Sequence, residues 1–478
     1  MSRRSSKPGA KRDESQSNHG PTSGPRSGRE EGRGGRRRKR GGRGTGDDAR
    51  WVPAETIDPS LLDGDALRVV KRLQKHDHEA YFVGGCVRDL FIGRRPKDFD
   101  VATSARPSEI RALFRNCRII GRRFKLAHIF YGDHIIETAT FRAAPGEQPT
   151  DDADLLIVDD NVYGTAAEDA RRRDFTVNAL FLDPTSHEIL DHVGGIEDLE
   201  RRTLRTIGDP EIRLAEDPVR ILRAVKFATR LDLEIDDPTW DAMCDVAPDL
   251  AKAAPPRILE DLLRLCRSGT ATAAFQMLRD CGALAVLVPQ LEEYLGPEDD
   301  IPERAEPFWD LLAALDAHVQ MEPEDVPSTA VLVALLFALP YELALDDQIA
   351  SNGALDARAR ADVAWDLLEP LSEATRLSRK DFARARRILV AQQNFVSPPE
   401  RFSELLFARS EEFVEAFELF RLRSQARGVG LDLVEAWRER WQRARRADPD
   451  EIEDERRRTR KRRRRRRKRG RRRSSGGS

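Results

Sequence analysis

Two aspartates separated by one phenylalanine, Asp98-Phe99-Asp100, are the residues of this 478-residue chain best suited to chemistry. On a β-strand, side chains at positions i and i+2 lie on one face, so both carboxylates would point to the same side. Two like charges this close repel each other unless a proton or a cation lies between them, and hard oxygen ligands suit Mg²⁺. The pair therefore predicts a divalent-cation site, although D-x-D alone is also common on solvent-facing strands.

Two glycines, Gly84 and Gly85, precede this pair and follow an apolar run. Backbone without side chains lets a ligand approach closely, and the N–H groups of such turns bind phosphate oxygens. Arg88, one helical turn further on, could reach the same phosphates, while Asp89 could pair with a nearby arginine. A tight strand–helix turn with a surface ion pair would use the same residues. Together with the carboxylate pair, however, the turn favours a site for a Mg²⁺–nucleoside triphosphate.

The elements around these residues mix strands and helices. Residues 80–83 are predicted as a strand that leads into the glycines, and residues 99–102 as a strand that carries the carboxylates. Two β-hairpins follow, one around Gly132-Asp133 and one over residues 179–191. From residue 209 to residue 442 the apolar spacing is helical, with almost no strand signal. The predicted fold class is therefore α+β: a head with a mixed sheet, followed by an all-helical neck and body.

Charge is segregated along the chain, although the formal net charge is only −1. Residues 1–50 carry 15 Lys or Arg against 6 Asp or Glu, and residues 451–478 carry 16 against 4. Both ends have too little apolar surface to offset chain entropy, so we expect disordered tails. Such tails either bind a nucleic-acid backbone or serve as solubilising or localising segments. The predicted organisation is a tail over 1–50, a head over 51–205, a neck over 206–270, a body over 271–447 and a tail over 448–478.

The longest apolar run extends from Thr329 to Leu339. It is shorter than the roughly 20 residues that a membrane-spanning helix needs, and the N-terminus has no apolar stretch of the secretory kind. We expect the run to be a core helix, and the protein to be soluble, cytoplasmic and without a membrane partner.

Three motifs in order resemble the polymerase-β-like nucleotidyltransferases, in the branch of bacterial tRNA CCA-adding enzymes and poly(A) polymerases. The first is G-G-C-V-R-D-(x)₈-D-F-D, which begins at Gly84; the second is R-R-D-F-T-V-N-A-L, from Arg172; the third is E-D-P-V-R-I-L-R-A-V-K-F, from Glu216. The resemblance covers roughly residues 65–280.

The resemblance implies a role for each matching residue. Asp98 and Asp100 would hold two Mg²⁺ ions, and Glu137, whose other interpretation is an edge-facing charge, would be a third catalytic acid. The second motif would supply a further catalytic acid, two arginines near the triphosphate of ATP, and a supporting amide: Asp174, Arg172, Arg173 and Asn178.

Two interpretations compete for Asp217 in the third motif. It precedes Pro218, which suits an N-cap of the following helix. In the resembling family, Asp217 and Arg220 would instead read the base of the incoming nucleotide, with Arg223 close by. A carboxylate that accepts from an adenine amino group and an arginine that donates to a ring nitrogen are sound hydrogen-bond chemistry.

The choice between poly(A) addition and CCA addition rests on the segment I-I-G-R-R-F-K-L-A-H-I, which resembles the poly(A) polymerases. Its Arg122, Arg123 and Lys125 form a basic cluster suited to an RNA backbone, although solvated charges would look the same. The prediction is a monomeric, template-independent enzyme that adds AMP from ATP to single-stranded RNA 3′ ends, including mRNA, with RNA-decay proteins as further partners. A CCA- or A-adding tRNA enzyme and a noncatalytic RNA-binding protein remain as alternatives.

Overall fold

The computed structural model of the chain describes residues 49–121, 125–143, 162–297, 302–398 and 402–460. Residues 1–48 and 461–478, which form most of the two predicted tails, lie outside this set. Both predicted tail boundaries shift. Arg50 already belongs to a strand, and residues 449–460 are helical, so the helical region extends beyond the predicted end at residue 447.

Eight strands in the N-terminal part form one mixed sheet, in the order β1-β8-β7-β2-β3-β6-β5-β4. The pair β3–β6 is parallel, and the other neighbouring pairs are antiparallel. This confirms the predicted mixed sheet. The strands are β1 (Arg50–Pro53), β2 (Ala80–Val83), β3 (Asp100–Thr103), β4 (Cys117–Ile120), β5 (Leu126–Tyr131), β6 (His134–Thr140), β7 (Leu180–Asp183) and β8 (Glu188–Asp191).

Both predicted hairpins are present. Gly132, with φ of 63°, lies in the turn between β5 and β6, where a left-handed backbone conformation favours glycine. β7 and β8 form the second hairpin, whose turn is stabilised by Asp183 Oδ1 accepting from the Thr185 N–H at 2.8 Å. These pairings are local in sequence, which is why alternation and turn residues predict them.

Five helices accompany the sheet, and α1 packs against β2 and β3. The first begins at an Asp63 N-cap, and Pro107 occupies the first turn of the third, as its fixed φ favours. The five are α1 (Gly64–Lys75), α2 (Gly85–Phe91), α3 (Pro107–Leu113), α4 (Ala166–Arg171) and α5 (Gly195–Glu200).

A small parallel pair joins the end of the head to the neck: β9 (Thr203–Leu204) and β10 (Glu234–Ile235). The described remainder of the chain is helical, as predicted. Its helices are α6 (Pro210–Glu216), α7 (Arg220–Leu231), α8 (Asp237–Val246), α9 (Pro255–Cys266), α10 (Ala271–Asp280), α11 (Ala283–Leu287), α12 (Pro289–Leu295), α13 (Pro302–Met321), α14 (Thr329–Leu336), α15 (Ala338–Asn352), α16 (Ala357–Thr375), α17 (Arg379–Val396), α18 (Glu404–Ala408), α19 (Phe413–Arg427) and α20 (Leu431–Arg446).

The longest apolar run is interior, as predicted, but it spans two helices. α14 is buried along almost its whole length, and the chain bends by 51° where α15 begins. Among the described residues no single helix has the length and hydropathy to span a membrane; α14 and α15 meet those two criteria only as a bent pair.

Candidate active site

The glycine turn and the carboxylates lie at the same height in the sheet, on the neighbouring strands β2, β3 and β6. Val83, the last residue of β2, pairs with Asp100, the first residue of β3. Gly84 therefore begins its turn beside the end of β3 that carries the carboxylates. The parallel register of β3 and β6 sets Asp100 level with Glu137. Three segments distant in sequence thus converge because of the sheet order.

The alternation predicted for the aspartates holds around Phe99. Phe99 is only 8% exposed and packs against Phe82 in the main core, with ring centroids 5.3 Å apart. Asp98, just before β3, and Asp100 are both exposed. The core therefore takes the aromatic ring and leaves the carboxylates on the other side.

Asp100 lies in an electrostatically unfavourable position for a carboxylate. Although the residue as a whole is exposed, the protein packed around the carboxyl group raises the pKa of Asp100 to about 6. The negative charges of Glu137 and Asp98 raise it further, while the charge of Arg173 lowers it. A cation bound to these oxygens would relieve this repulsion. The position therefore suits a divalent metal.

The turn after β2 is one that only glycine adopts easily. Gly84 has φ of 73° and ψ of −129°. A Cβ atom at this position would lie 3.1 Å from Nη1 of Arg173, so the absence of a side chain also leaves room for that guanidinium. The turn, Arg173 and Asp100 form one surface.

Arg88 differs from its predicted position. Its side chain is buried, with Nε and Nη2 donating to Asp89 Oδ1 at 2.9 and 2.6 Å and Nη1 donating to Asn178 Oδ1 at 2.5 Å. All three donor groups are engaged in the interior. Arg88 therefore links α2 to the turn at Asn178, and the expectation that it reaches a phosphate is not supported. Its pairing with Asp89 was predicted as one alternative, but as a surface ion pair.

Asp174 faces the neck. Its Oδ2 accepts from Arg223 Nε at 2.7 Å, and its Oδ1 accepts from the Phe175 N–H at 2.9 Å and from Asn178 Nδ2 at 3.3 Å. Burial alone would raise the pKa of Asp174, but the charge and hydrogen bonds of Arg223, with those of Asn178 and Phe175, hold it below the usual value. The described contacts of Asp174 thus orient Arg223 rather than join the cluster around Asp100.

Arg172 and Arg173 share a partner that the sequence interpretation missed. The Asp169 carboxylate, whose residue is only 1% exposed, accepts from both guanidinium groups. Burial would raise the pKa of Asp169, but the two arginines lower it. The spacing of three and four residues along a helix is the signal that could have revealed these pairs.

Asp217 is not an N-cap. α7 begins after Val219, which makes no side-chain capping bond, and the two Asp217 oxygens accept from Arg257 Nη1 at 3.0 Å and Nη2 at 2.7 Å. This bidentate pair raises the pKa of Arg257. The capping alternative is therefore wrong, and Arg257 of α9 is a neighbour that the sequence did not indicate.

Arg220 lies one turn further on but points back along the chain. It donates to the Arg213 carbonyl and, at 3.2 Å, to Glu216 Oε2. The described structure therefore does not join the side chains of Asp217 and Arg220 by a hydrogen bond.

Lys226 is a further cation that sequence reasoning missed. Its ammonium lies 4.5 Å from the centroid of the Phe227 ring, which the guanidinium carbons of Arg88 and Arg223 also approach, at 5.2 and 5.5 Å. Burial and the charge of Arg223 lower the pKa of Lys226 to about 8. Its position three residues after Arg223 on one helix face is the signal that could have revealed it.

Of the predicted RNA-binding cluster, Lys125 is exposed just before β5. Arg122 and Arg123 lie outside the described residues, so their predicted role stays a prediction.

In the described chain, three potential ligand atoms lie within 4.8 Å of one another in a different group, formed by Asp63, Asp65 and His134. Asp98, Asp100 and Glu137 are more widely spaced than that. Asp63 caps α1 through the N–H groups of Asp65 and Ala66. Asp65 pairs with Arg68 at 2.8 Å and with His134 at 3.1 Å. These contacts account for the cluster as a helix start with one ion pair, to Arg68, and a histidine contact.

Asp98, Asp100 and Glu137 fit Mg²⁺ better. They are hard oxygen donors on one surface, and the pKa of Asp100 is raised first by burial and then by the negative charges of Glu137 and Asp98. Mg²⁺ binds through one or two carboxylates and keeps water or substrate phosphates as its other ligands, so a compact all-protein cage is not required.

Comparisons with known proteins define the class first. Two family models match, one described as "Poly A polymerase head domain" over residues 80–205 and one described as "Probable RNA and SrmB- binding site of polymerase A" over residues 232–295. The first covers seven of the eight strands of the sheet, including those that carry the carboxylates, and the second covers α8 to α12, in the second half of the predicted neck and the start of the body.

Similarity to individual proteins is more specific than the match to the family models. The chain is 36% identical to a poly(A) polymerase I of Haemophilus influenzae over 395 residues, covering 80% of this chain and 85% of that protein. It is 34% identical to a CCA-adding enzyme of Lactobacillus delbrueckii subsp. bulgaricus over 260 residues, covering 52% and 63%. A solved structure of the Bacillus stearothermophilus CCA-adding enzyme with CTP aligns with a TM-score of 0.57 and 26% identity, covering 79% of this chain and 81% of that one.

The chain therefore belongs to the family of poly(A) polymerase I and CCA-adding enzymes, class II nucleotidyltransferases that add nucleotides to RNA 3′ ends.

Proposed function

We propose that the chain is a poly(A) polymerase, a polynucleotide adenylyltransferase that adds AMP from ATP to RNA 3′ ends without a template, in mRNA polyadenylation and RNA processing or decay. The observation that carries this choice is the extent of similarity. The alignment with the Haemophilus influenzae poly(A) polymerase I spans 85% of that protein, and the alignment with the Lactobacillus CCA-adding enzyme spans 63% of that one. The basic segments at both ends support the same choice, because sequence-independent electrostatic capture suits varied single-stranded 3′ ends.

In the reaction, the RNA 3′-oxygen forms a bond to the α-phosphorus of ATP, the bond between that phosphorus and the α,β-bridging oxygen breaks, and pyrophosphate leaves. Asp98 and Asp100 would hold Mg²⁺, with Glu137 beside them. Bound there, Mg²⁺ neutralises phosphate charge and lowers the pKa of a coordinated hydroxyl group.

The remaining catalysis is positioning and charge complementarity. Gly84 leaves space for the triphosphate beside Asp100, while Arg172 and Arg173 place positive charge next to it. Lys226 would add a further cation to the side of the site that the neck forms. The low pKa of Asp174 keeps that carboxylate ionised, so that it holds Arg223 in place.

Base selection would fall to the neck. Asp217 accepts hydrogen bonds and Arg220 donates them, which matches the donor and acceptors of an adenine edge. Both Asp217 oxygens bind Arg257, so a base would be read beside this ion pair.

A CCA- or A-adding tRNA enzyme is the second candidate. The similarity to the solved CCA-adding enzyme, over 79% of this chain, favours it. A noncatalytic RNA-binding protein is a distant third, and the intact carboxylate cluster argues against it.

One experiment separates the three candidates. Labelled ATP and labelled CTP are each offered with an unstructured RNA and with a tRNA that lacks its CCA end. We expect long A tails on the unstructured RNA with ATP and little CMP incorporation. CMP addition to the shortened tRNA would select the tRNA enzyme, and no incorporation on either RNA would select the noncatalytic protein.

A further inference from the structure

Asp169 lies under Arg172 and Arg173, the second of which borders the glycine turn. On α4, its Oδ1 accepts from Arg172 Nε and Nη2 at 2.9 and 2.6 Å, and its Oδ2 accepts from Arg173 Nε and Nη2 at 3.2 and 2.9 Å. Oδ1 also accepts from the Arg142 N–H at 3.2 Å. One buried carboxylate thus binds two guanidinium groups, each through the edge formed by its Nε and Nη2 atoms.

The backbone of this segment is held independently. Nη2 of Arg213 on α6 donates to the carbonyl oxygens of Arg172 and Arg173 at 2.7 and 2.9 Å. The start of α4 is fixed by a capping box in which Thr165 and Glu168 bond each other's backbone N–H groups. Asp169 therefore determines where the two side chains point, whereas the course of the chain has other supports.

The orientation that Asp169 imposes directs Arg173 toward the site. With Nε and Nη2 on Asp169, Nη1 donates to the Asn178 carbonyl at 3.2 Å and lies 3.1 Å from where a Cβ of Gly84 would be. The positive charge of Arg173 also lowers the pKa of Asp100. The two guanidinium groups and the Asp169 carboxylate together carry one net positive charge, which suits an anionic ligand bound next to them.

We propose that Asp169 is a positioning residue, which holds Arg172 and Arg173 in the orientation that binds the phosphate chain of the nucleotide. It acts through the arginines and does not itself touch the substrate. The inference rests on the proposed function, in that the anion is taken to be a nucleoside triphosphate.

Asp169→Asn keeps the shape of the side chain but replaces an acceptor oxygen with an NH₂ group that faces an arginine donor. One guanidinium then loses its bidentate partner, and both gain freedom to rotate. The probe is inorganic tripolyphosphate, which has the phosphate chain without a base or a sugar. We expect its Kd, measured by calorimetry, to weaken by about tenfold or more, and kcat/KM for ATP to fall by a similar factor.

Affinity for RNA should stay within about twofold of wild type, because a change confined to two side chains leaves the RNA-binding surface in place. A double-mutant cycle with Arg173→Gln provides the readout that a general structural role would not move. Because Asp169 acts through the arginine, the combined loss in tripolyphosphate affinity should be clearly smaller than the sum of the single losses. Additive losses, or a wild-type tripolyphosphate Kd in Asp169→Asn, would overturn the proposal.

Glu415→Gln is the matched control, because Glu415 on α19 also binds an arginine, Arg384, through both oxygens but lies in the helical body. It should leave the tripolyphosphate Kd unchanged. If Asp169→Asn does not fold, Asp169→Glu retains the charge and shifts both arginines by one methylene. An unchanged Kd in that variant would also contradict the proposal. Calorimetry needs no turnover, so wild-type protein that binds tripolyphosphate but incorporates no nucleotide would refute the proposed function and leave this inference standing.

Discussion

A connected series of polar side chains crosses the boundary between head and neck. Arg88 donates to Asn178, Asn178 donates to Asp174, and Asp174 accepts from Arg223 on α7. Buried polar groups are expensive to leave unpaired, so each member constrains the next. This series therefore fixes Arg223, and with it α7, relative to α2 and the turn at Asn178.

Lys226 predicts a pH dependence that belongs to a single residue. Its pKa of about 8 reflects burial and the charges of Arg223 and Arg264, against which Asp261 and Asp174 act. As the pH rises through about 8, the folded protein loses this positive charge, so kcat/KM for ATP should fall. Lys226→Arg keeps its charge over this range and should flatten the profile between pH 7 and 9.5, measured at constant ionic strength.

The same deprotonation of Lys226 should raise the stability of the fold while it lowers kcat/KM. Because the folded pKa lies below the ordinary value of 10.5, the unfolded chain binds more protons between about pH 8 and 10.5. The free energy of unfolding should therefore rise with pH across that window, and less so in Lys226→Met. A fall in kcat/KM that persists unchanged in Lys226→Arg would assign the titration to another group.

At the scale of elements, the turn between β2 and α2 places backbone, arginine and carboxylate together. Gly84→Ala forces a Cβ into a left-handed conformation and against Arg173 Nη1. We expect the free energy of unfolding to drop by about 1–2 kcal/mol and kcat/KM for ATP to fall by about tenfold or more. Chemical denaturation and steady-state kinetics measure the two effects.

Gly93, just after α2, provides the control. Its φ is 72°, almost the same as that of Gly84, but a Cβ there meets nothing within 4 Å. Gly93→Ala should also lose stability, because its φ is positive, and retain kcat/KM. Equal losses of activity in both variants would mean that strain in α2, rather than the space beside Arg173, controls the reaction.

Local sequence patterns predicted the strands and turns better than they predicted which strands and residues lie next to each other. The hairpins and the strand before Gly84 follow from alternation and turn residues, which act within a few positions. The parallel pairing of β3 with β6 brings Glu137 beside Asp100, and no local signal encodes that pairing, so Glu137 could be placed only by resemblance. Similarly, Asp174 and Arg223 are 49 positions apart, and residue spacing could not pair them.

Arg88 and Asp217 illustrate the opposite error. Each was assigned a role that its residue type allows, a phosphate ligand for Arg88 and a helix cap as one alternative for Asp217. Tertiary partners use those same groups instead: Asn178 for Arg88 and Arg257 for Asp217. A side chain's chemistry is visible in sequence, but its competing partners are not.

At the scale of the whole molecule, charge separation predicts how RNA is captured. Residues 461–478 contain 12 Lys or Arg and no Asp or Glu. Removing them should weaken RNA binding and reduce the slope of log K against log salt by about 0.7 for each lost phosphate contact. Turnover at saturating RNA should change little. Filter binding from low to high salt, together with kcat at saturation, checks both statements.

A chain in which residues 461–478 are replaced by Gly and Ser at equal length is the control for chain length. It should behave like the deletion. A wild-type salt slope in either variant would show that these residues make no contact with the RNA backbone.

We propose that nucleotides are transferred to RNA 3′ ends at the surface formed by Gly84, Asp98, Asp100 and Glu137. The most direct test measures AMP incorporation and RNA affinity side by side for wild type and for Asp98→Asn with Asp100→Asn. We expect incorporation to fall by about 1,000-fold or more, since several kcal/mol of transition-state stabilisation depends on these carboxylates, with the RNA Kd within about twofold. Incorporation near the wild-type rate in the double variant would contradict the site and the mechanism built on it.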